Sequence, residues 1–195
     1  EAVGVGGFFE NEPRHPGFRL RMMRLLGGLS SLTPGAYCRS GITVPLRLLT
    51  PDSPLVAVDR LSGACMAWRG AIAREIRFEE SFYGYAQSED TLFSRLAASY
   101  GELLICPMAQ CEHLQEASGR PDLVQQARMK IFNRYFIHQR VVPNRALRDV
   151  LWFFYANFLD IMLVSTALFL RGKLRSGFAY MYGSLLGLKD IYDTA

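Results

Sequence analysis

The sequence predicts an α/β domain followed by an apolar helical tail. Short β-like runs alternate with segments of helical periodicity through the first two thirds of the chain, which is the pattern of an α/β domain. Beyond Val150 the character changes: "VLWFFYANFLDIMLVSTALFL", Val150 to Leu170, holds a single charge, Asp160. Half of the 195 residues are hydrophobic and 21% are charged, which excludes a disordered chain and supplies apolar side chains for a sizeable core.

The elements follow in order. "EAVGVGGFF" reads as a strand ending in glycines. Its glycines do not make GxGxxG, because Phe9 stands where the third glycine is needed, so a dinucleotide fingerprint is rejected and a turn is expected. "FRLRMMRLLGGLSSL" suggests a short helix broken at Gly27-Gly28. "GAYCRSGITVPLRLLTPDSP" is punctuated by Pro and Gly and reads as loop with a strand or two. "VAVDRLSGACMAWRGAIAREI" passes from a strand through "LSGA" into a helix near Gly70–Glu75. "GELLICPMAQCEH" reads as two short buried strands bent at Pro107. From Pro121 to Gln139 the spacing predicts a helix, with Pro121 in its first turn and Val124, Ala127, Ile131 and Tyr135 on one face.

As a helix, Val150 to Leu170 would be about 31 Å long, close to a hydrocarbon core of about 30 Å. Arg145 and Arg148 precede it, and Arg171, Lys173 and Arg175 follow. Asn157 and Asp160 share one helical face, which favours an in-plane helix or a polar face against another helix. Phe178 to Leu188 is too short to span and carries GxxxG at Gly183 and Gly187. The net charge of +4 is uneven: Arg120 to Arg175 holds ten Lys/Arg against three Asp/Glu. A basic segment beside apolar runs points to anionic lipid rather than nucleic acid. The four cysteines have no CxxC spacing, which fits a reducing compartment; read as C-x4-C-x-H, Cys106, Cys111 and His113 lack a fourth zinc ligand. No signal peptide is visible at the start.

The chemistry centres on "FYGYAQSEDTLFSRL", which sets Glu89 beside Asp90 at the mouth of a predicted helix. Adjacent carboxylates repel, so one of them is easily held protonated. A helix start also offers positive dipole and free N–H groups that keep an aspartate ionised and aimed. A plain helix cap with a solvated neighbour is the structural alternative.

The order "LSGACMAWR", "IRFEESFYGY", "SEDTLFSRLAASYG", "LLICPMAQCEH" resembles the C-terminal half of the catalytic domain of glycosyltransferase family 2, over about residues 55–120. The resemblance implies a partial GT-A fold, a mixed sheet with flanking helices, in residues 1–118. Residues 119–195 then form a basic amphipathic helix and apolar membrane-associated helices. It implies that Asp90 is the catalytic base of an inverting sugar transfer and Glu89 its companion acid. Gly63 and Ala64 would line the sugar and acceptor site, with Arg120 placed to meet the diphosphate. His113 would help hold a divalent metal, magnesium or manganese.

The implied partners are a nucleotide-diphosphate sugar, a lipid-linked or cell-envelope saccharide acceptor and the cytoplasmic face of a bacterial membrane, met through residues 145–190. Two departures stand out. Leu92 replaces a second acid, and the chain has no DxD, the motif that holds metal and diphosphate in this family. A nucleotide-binding half carrying it is expected before Glu1, so this chain alone is expected to be inactive. The rival readings are a non-catalytic membrane-associated interaction module and a soluble α/β protein whose tail helix packs into a dimer.

Overall fold

The sheet is built on β1, Ala2–Phe9, and the glycines of that strand are there for close packing. A Cβ on Gly4 would sit 2.5 Å from the Trp68 ring, and one on Gly6 would sit 2.7 Å from the Ile105 side chain. The expected turn is therefore the interior of a strand, smooth enough for large neighbours to lie on its backbone. The computed structural model describes residues 1–12, 15–82, 85–114 and 121–194.

Two compact units emerge. The first comprises Glu1–Pro16, Ser31–Tyr37 and Thr43–Glu116; the second comprises Gly17–Ser30, Cys38–Ile42 and Ala117–Ala195.

The first unit is α/β, with a four-stranded mixed sheet in the order β2-β4-β1-β3. Strands β2, Val56–Val58, and β3, Met66–Trp68, form its antiparallel edges, and β1 runs parallel to β4, Glu102–Cys111. β4 is one strand where two were expected. Its register with β1 jumps from Gly6–Ile105 to Phe8–Gln110, so residues 106–109 bow out opposite Gly7. Pro107 lies in that bow, where no ladder N–H is required of it. Helices α2, Gly70–Glu75, and α3, Glu89–Ala97, complete the unit. The core gathers Val3, Phe8, Leu61, Ile72, Phe93, Leu103 and Ile105, with Phe93 stacked on Phe78 and edge-on to Trp68.

The second unit is helical: α1, Phe18–Leu25; α4, Leu123–Val141; α5, Leu147–Leu170; and α6, Leu174–Thr194. The α4 N-cap is Asp122, whose carboxylate accepts from Gln125 N at 2.9 Å, so Pro121 precedes the cap instead of opening the helix. Ala127 and Ile131 of α4 pack with Ile161, Tyr180 and Ile191. The GxxxG of α6 works inside this chain. A Cβ on Gly183 would collide with the Val124 carbonyl, and one on Gly187 would lie 2.6 Å from the Arg128 carbonyl oxygen. The α4 and α6 backbones therefore touch, as small-residue pairs allow.

α5 is patterned inside out. Asp149, Asn157, Asp160 and Ser165 are buried, while Leu151, Phe154, Phe158 and Met162 are exposed at helical spacing. Phe178, Tyr182 and Leu185 extend the exposed apolar surface on α6. Among the described residues, α5 alone is long and apolar enough to cross a membrane, by length and composition.

Because the α4–α6 contact is backbone on backbone, Gly187→Leu should destabilise the helical unit by about 2–3 kcal/mol, read as a lowered denaturant midpoint with unchanged slope.

Candidate functional site

Asp90 lies in the first turn of α3, beside Glu89. Its Oδ2 accepts from Gly63 N at 3.0 Å, and its Oδ1 accepts from Thr91 N at 2.7 Å. Arg60 Nη1 stands 3.7 Å from Oδ2. The carboxylate thus faces the "LSGA" turn and still reaches solvent, with 21% of its side chain exposed. One turn further along α3, buried Ser94 Oγ accepts from Leu61 N at 3.0 Å. Two side chains of one helix therefore clamp the 61–63 backbone. The approach to the pair is strained: Ala86 and Ser88 adopt positive φ of 47° and 74°, a region that costs a non-glycine residue about 1–2 kcal/mol. Burial, and then the neighbouring Asp90 charge, hold the Glu89 carboxyl above its usual range.

Gly63 and Asp90 are thus brought together, and Ala64 is exposed in the same turn. His113 makes a different set of contacts. Asn11 brackets its backbone on both sides, its ring tilts on Phe9 with centroids 5.0 Å apart, and Nδ1 is 3.7 Å from Glu12. An imidazole and one carboxylate are two donors, and among the described residues no group of three or more His, Cys, Asp or Glu suits a metal ion. This chain's described residues therefore do not by themselves fit the implied metal. Arg120 lies outside the described residues. Arg60 and Ser94 were not singled out in the sequence; Arg60 adjoins "LSGA", the one signal that marked it.

A second constellation was half visible. Asp160, fully buried, meets three cations: Arg19 Nε on its Oδ1, and Lys130 Nζ and Arg134 Nη1 on its Oδ2, each of the latter at 2.8 Å. Arg134 also donates to Asn157 Oδ1 at 3.0 Å, and Lys130 to the Tyr180 hydroxyl at 2.6 Å. Asn157 and Asp160 do share a face, and that face is turned on α1 and α4. Burial pulls Lys130 down to about 7; Asp160 opposes the shift, while Arg134 and Arg19 add to it.

No family model, no curated protein and no solved structure matches this chain.

Lys130 sets a pH dependence with a definite sign. Between about 7 and its ordinary value of 10.5, the folded chain binds fewer protons than the unfolded chain, so this group makes stability rise with pH across that window. Denaturant midpoints at pH 7 and about pH 9.5 should show the rise, and Lys130→Met should flatten it.

Proposed function

We propose that this chain is the acceptor-side part of an inverting glycosyltransferase of the GT-A type that works at a membrane surface. In this reading a nucleotide-diphosphate sugar donates to a hydroxyl of a lipid-linked or cell-envelope saccharide. The observation that carries it is the Asp90 carboxylate. It is held by the Gly63 N–H, aimed at a turn of small residues, and open enough to meet an incoming alcohol. Asp90 takes the acceptor proton as the acceptor oxygen attacks the anomeric carbon and the bond to the diphosphate breaks, with inversion at that carbon. Gly63 and Ala64 leave room for the acceptor, and Glu89, its carboxyl held above the usual range by burial and then by the Asp90 charge, stands beside the base as its companion acid. The divalent metal of this reading is held chiefly by an Asp-x-Asp outside the chain, and its chemistry would be to neutralise the departing diphosphate.

The inside-out pattern of α5 and α6 supports the membrane. Exposed Leu151, Phe158 and Phe178 with buried Asp160 and Asn157 reverse the order of a water-facing helix pair. An in-plane seat is favoured over a crossing one, because a crossing α5 would carry Arg19, Lys130 and Arg134 with Asp160 to mid-bilayer depth. Arg171, Lys173 and Arg175, between α5 and α6, complement anionic headgroups.

In the full gene product, Asp90→Asn should lower sugar transfer by about 10²–10⁴-fold while donor binding is retained. Asparagine still accepts from Gly63 N, so the turn keeps its hold. Transfer at the wild-type rate would remove Asp90 from the mechanism. Separately, Leu151→Glu with Phe158→Glu should cut flotation with phosphatidylglycerol vesicles about tenfold or more with circular dichroism unchanged; undiminished flotation would dismiss the apolar face as the lipid contact.

A further inference from the structure

We propose that Arg19, Lys130 and Arg134, gathered about Asp160, form a binding site for a phosphate group at the surface of the helical unit. That chemistry is shared by an anionic lipid headgroup and by free phosphate. The inference concerns the second unit alone and stands whether or not Asp90 is a base.

The argument begins with charge. Two guanidinium groups and Lys130 converge on one carboxylate, an excess of one positive charge even with Lys130 neutral, in a place where Asp160 is fully buried and the Lys130 and Arg134 side chains are only 17% and 13% exposed. Neutralising Asp160 needs one cation; a second and third repel each other in a poorly solvated site. The lowering of Lys130 comes first from burial, with Arg134 and Arg19 adding to it. An anion carrying one to two negative charges restores the balance without displacing any contact the cluster already makes.

Donor geometry agrees. Arg19 gives its Nε to Asp160, and Arg134 gives Nη1 to Asp160 and Asn157. Among the described residues the other guanidinium nitrogens, both Nη of Arg19 and the Nε and Nη2 of Arg134, make no further hydrogen bond, and the two side chains keep 32% and 13% exposure. Asp160 and Asn157 thus orient two planar forks while leaving their outer donors for another acceptor. Two pre-oriented guanidinium groups and an amine converging on one point suit the tetrahedral oxygens of a phosphate better than a single carboxylate does. The site is framed from α1 and α4 and backed by α5 and, through the Tyr180 hydroxyl, α6. The exposed apolar stripe of α5, Leu151 and Phe158, lies on the opposite face of that helix from Asp160, so the source of the phosphate, lipid headgroup or free ion, is decided by the titration below.

The test is thermal unfolding of the whole chain in inorganic phosphate against chloride at matched ionic strength. Phosphate in roughly hundredfold excess over its dissociation constant should raise the midpoint by about 5 °C or more. Arg19→Gln and Arg134→Gln each leave Asp160 two cations, and each should abolish the phosphate-specific rise. Arg74→Gln, exposed on α2 of the first unit, should retain it. A parallel titration with glycerophosphoglycerol identifies the source: a response to the diester as well assigns the site to lipid headgroups, and a response to phosphate alone assigns it to a free phosphate or monoester. The proposal is overturned if phosphate acts no differently from chloride on the wild-type chain, a readout that needs no variant to fold. It is equally overturned if the rise survives in both Arg19→Gln and Arg134→Gln or disappears in Arg74→Gln.

Discussion

Because an aspartate in the middle of an apolar helix is costly wherever it meets hydrocarbon or packed side chains, the helical unit has to bring cations to Asp160. That demand organises the unit. Arg19 ties α1 to α5, Lys130 and Arg134 tie α4 to α5, and Lys130 reaches on to Tyr180 of α6. The i, i+4 spacing of Lys130 and Arg134 places both on one face of α4, and the small residues Gly183 and Gly187 let α6 close against that helix. Polar groups turn inward, so apolar side chains are left to face outward along α5 and α6.

The first unit solves a different problem, that of holding a loop of small residues in place. The 61–65 segment has few side chains with which to pack, so α3 supplies the anchors: Ser94 on Leu61 N and Asp90 on Gly63 N. α3 is itself fixed by Phe93 between Phe78 and Trp68, and Trp68 lies on the bare backbone of Gly4. The position of one carboxylate thus depends on a glycine at the far end of a packing chain. Asp90 holds the turn and its own helix start with its two oxygens, so a substitution that keeps the acceptor but removes the charge separates this hold from the proton transfer proposed for it.

Elements with periodicity long enough to read were legible. The strand at residues 2–9, the break after α1, the six residues of α2 and the long helices α4 and α5 stand in the sequence as the alternation or spacing that builds them. β3 was not, because three residues display no alternation, and the bow in β4 was read as a division into two strands because Pro107 marks a break without saying that the ladder resumes. α6 runs past its apolar stretch to Thr194, since Lys189 and Asp190 are helix-compatible residues that a hydropathy reading drops. Residues 17–30 and 38–42 join the helical unit through Arg19–Asp160 and Arg39–Asp149 pairs separated by more than a hundred residues, which no local pattern reveals. At the candidate site, motif order assigned Asp90 and Gly63 to one acceptor region without specifying the hydrogen bond between them; Ser94 was hidden among the core residues of its own helix, and the partners of Asp160 were invisible because each is an ordinary surface cation in sequence.

The sheet's two margins bear on how the molecule keeps apart from its copies. β2 and β3 are three residues each, so each of these two outer strands offers only a short run of unpaired amides for a neighbouring chain to zip onto. Self-association by strand addition is thereby discouraged in the first unit, and any tendency of these molecules to clump is directed to the greasy flank of the helices, where detergent or a bilayer can shield it.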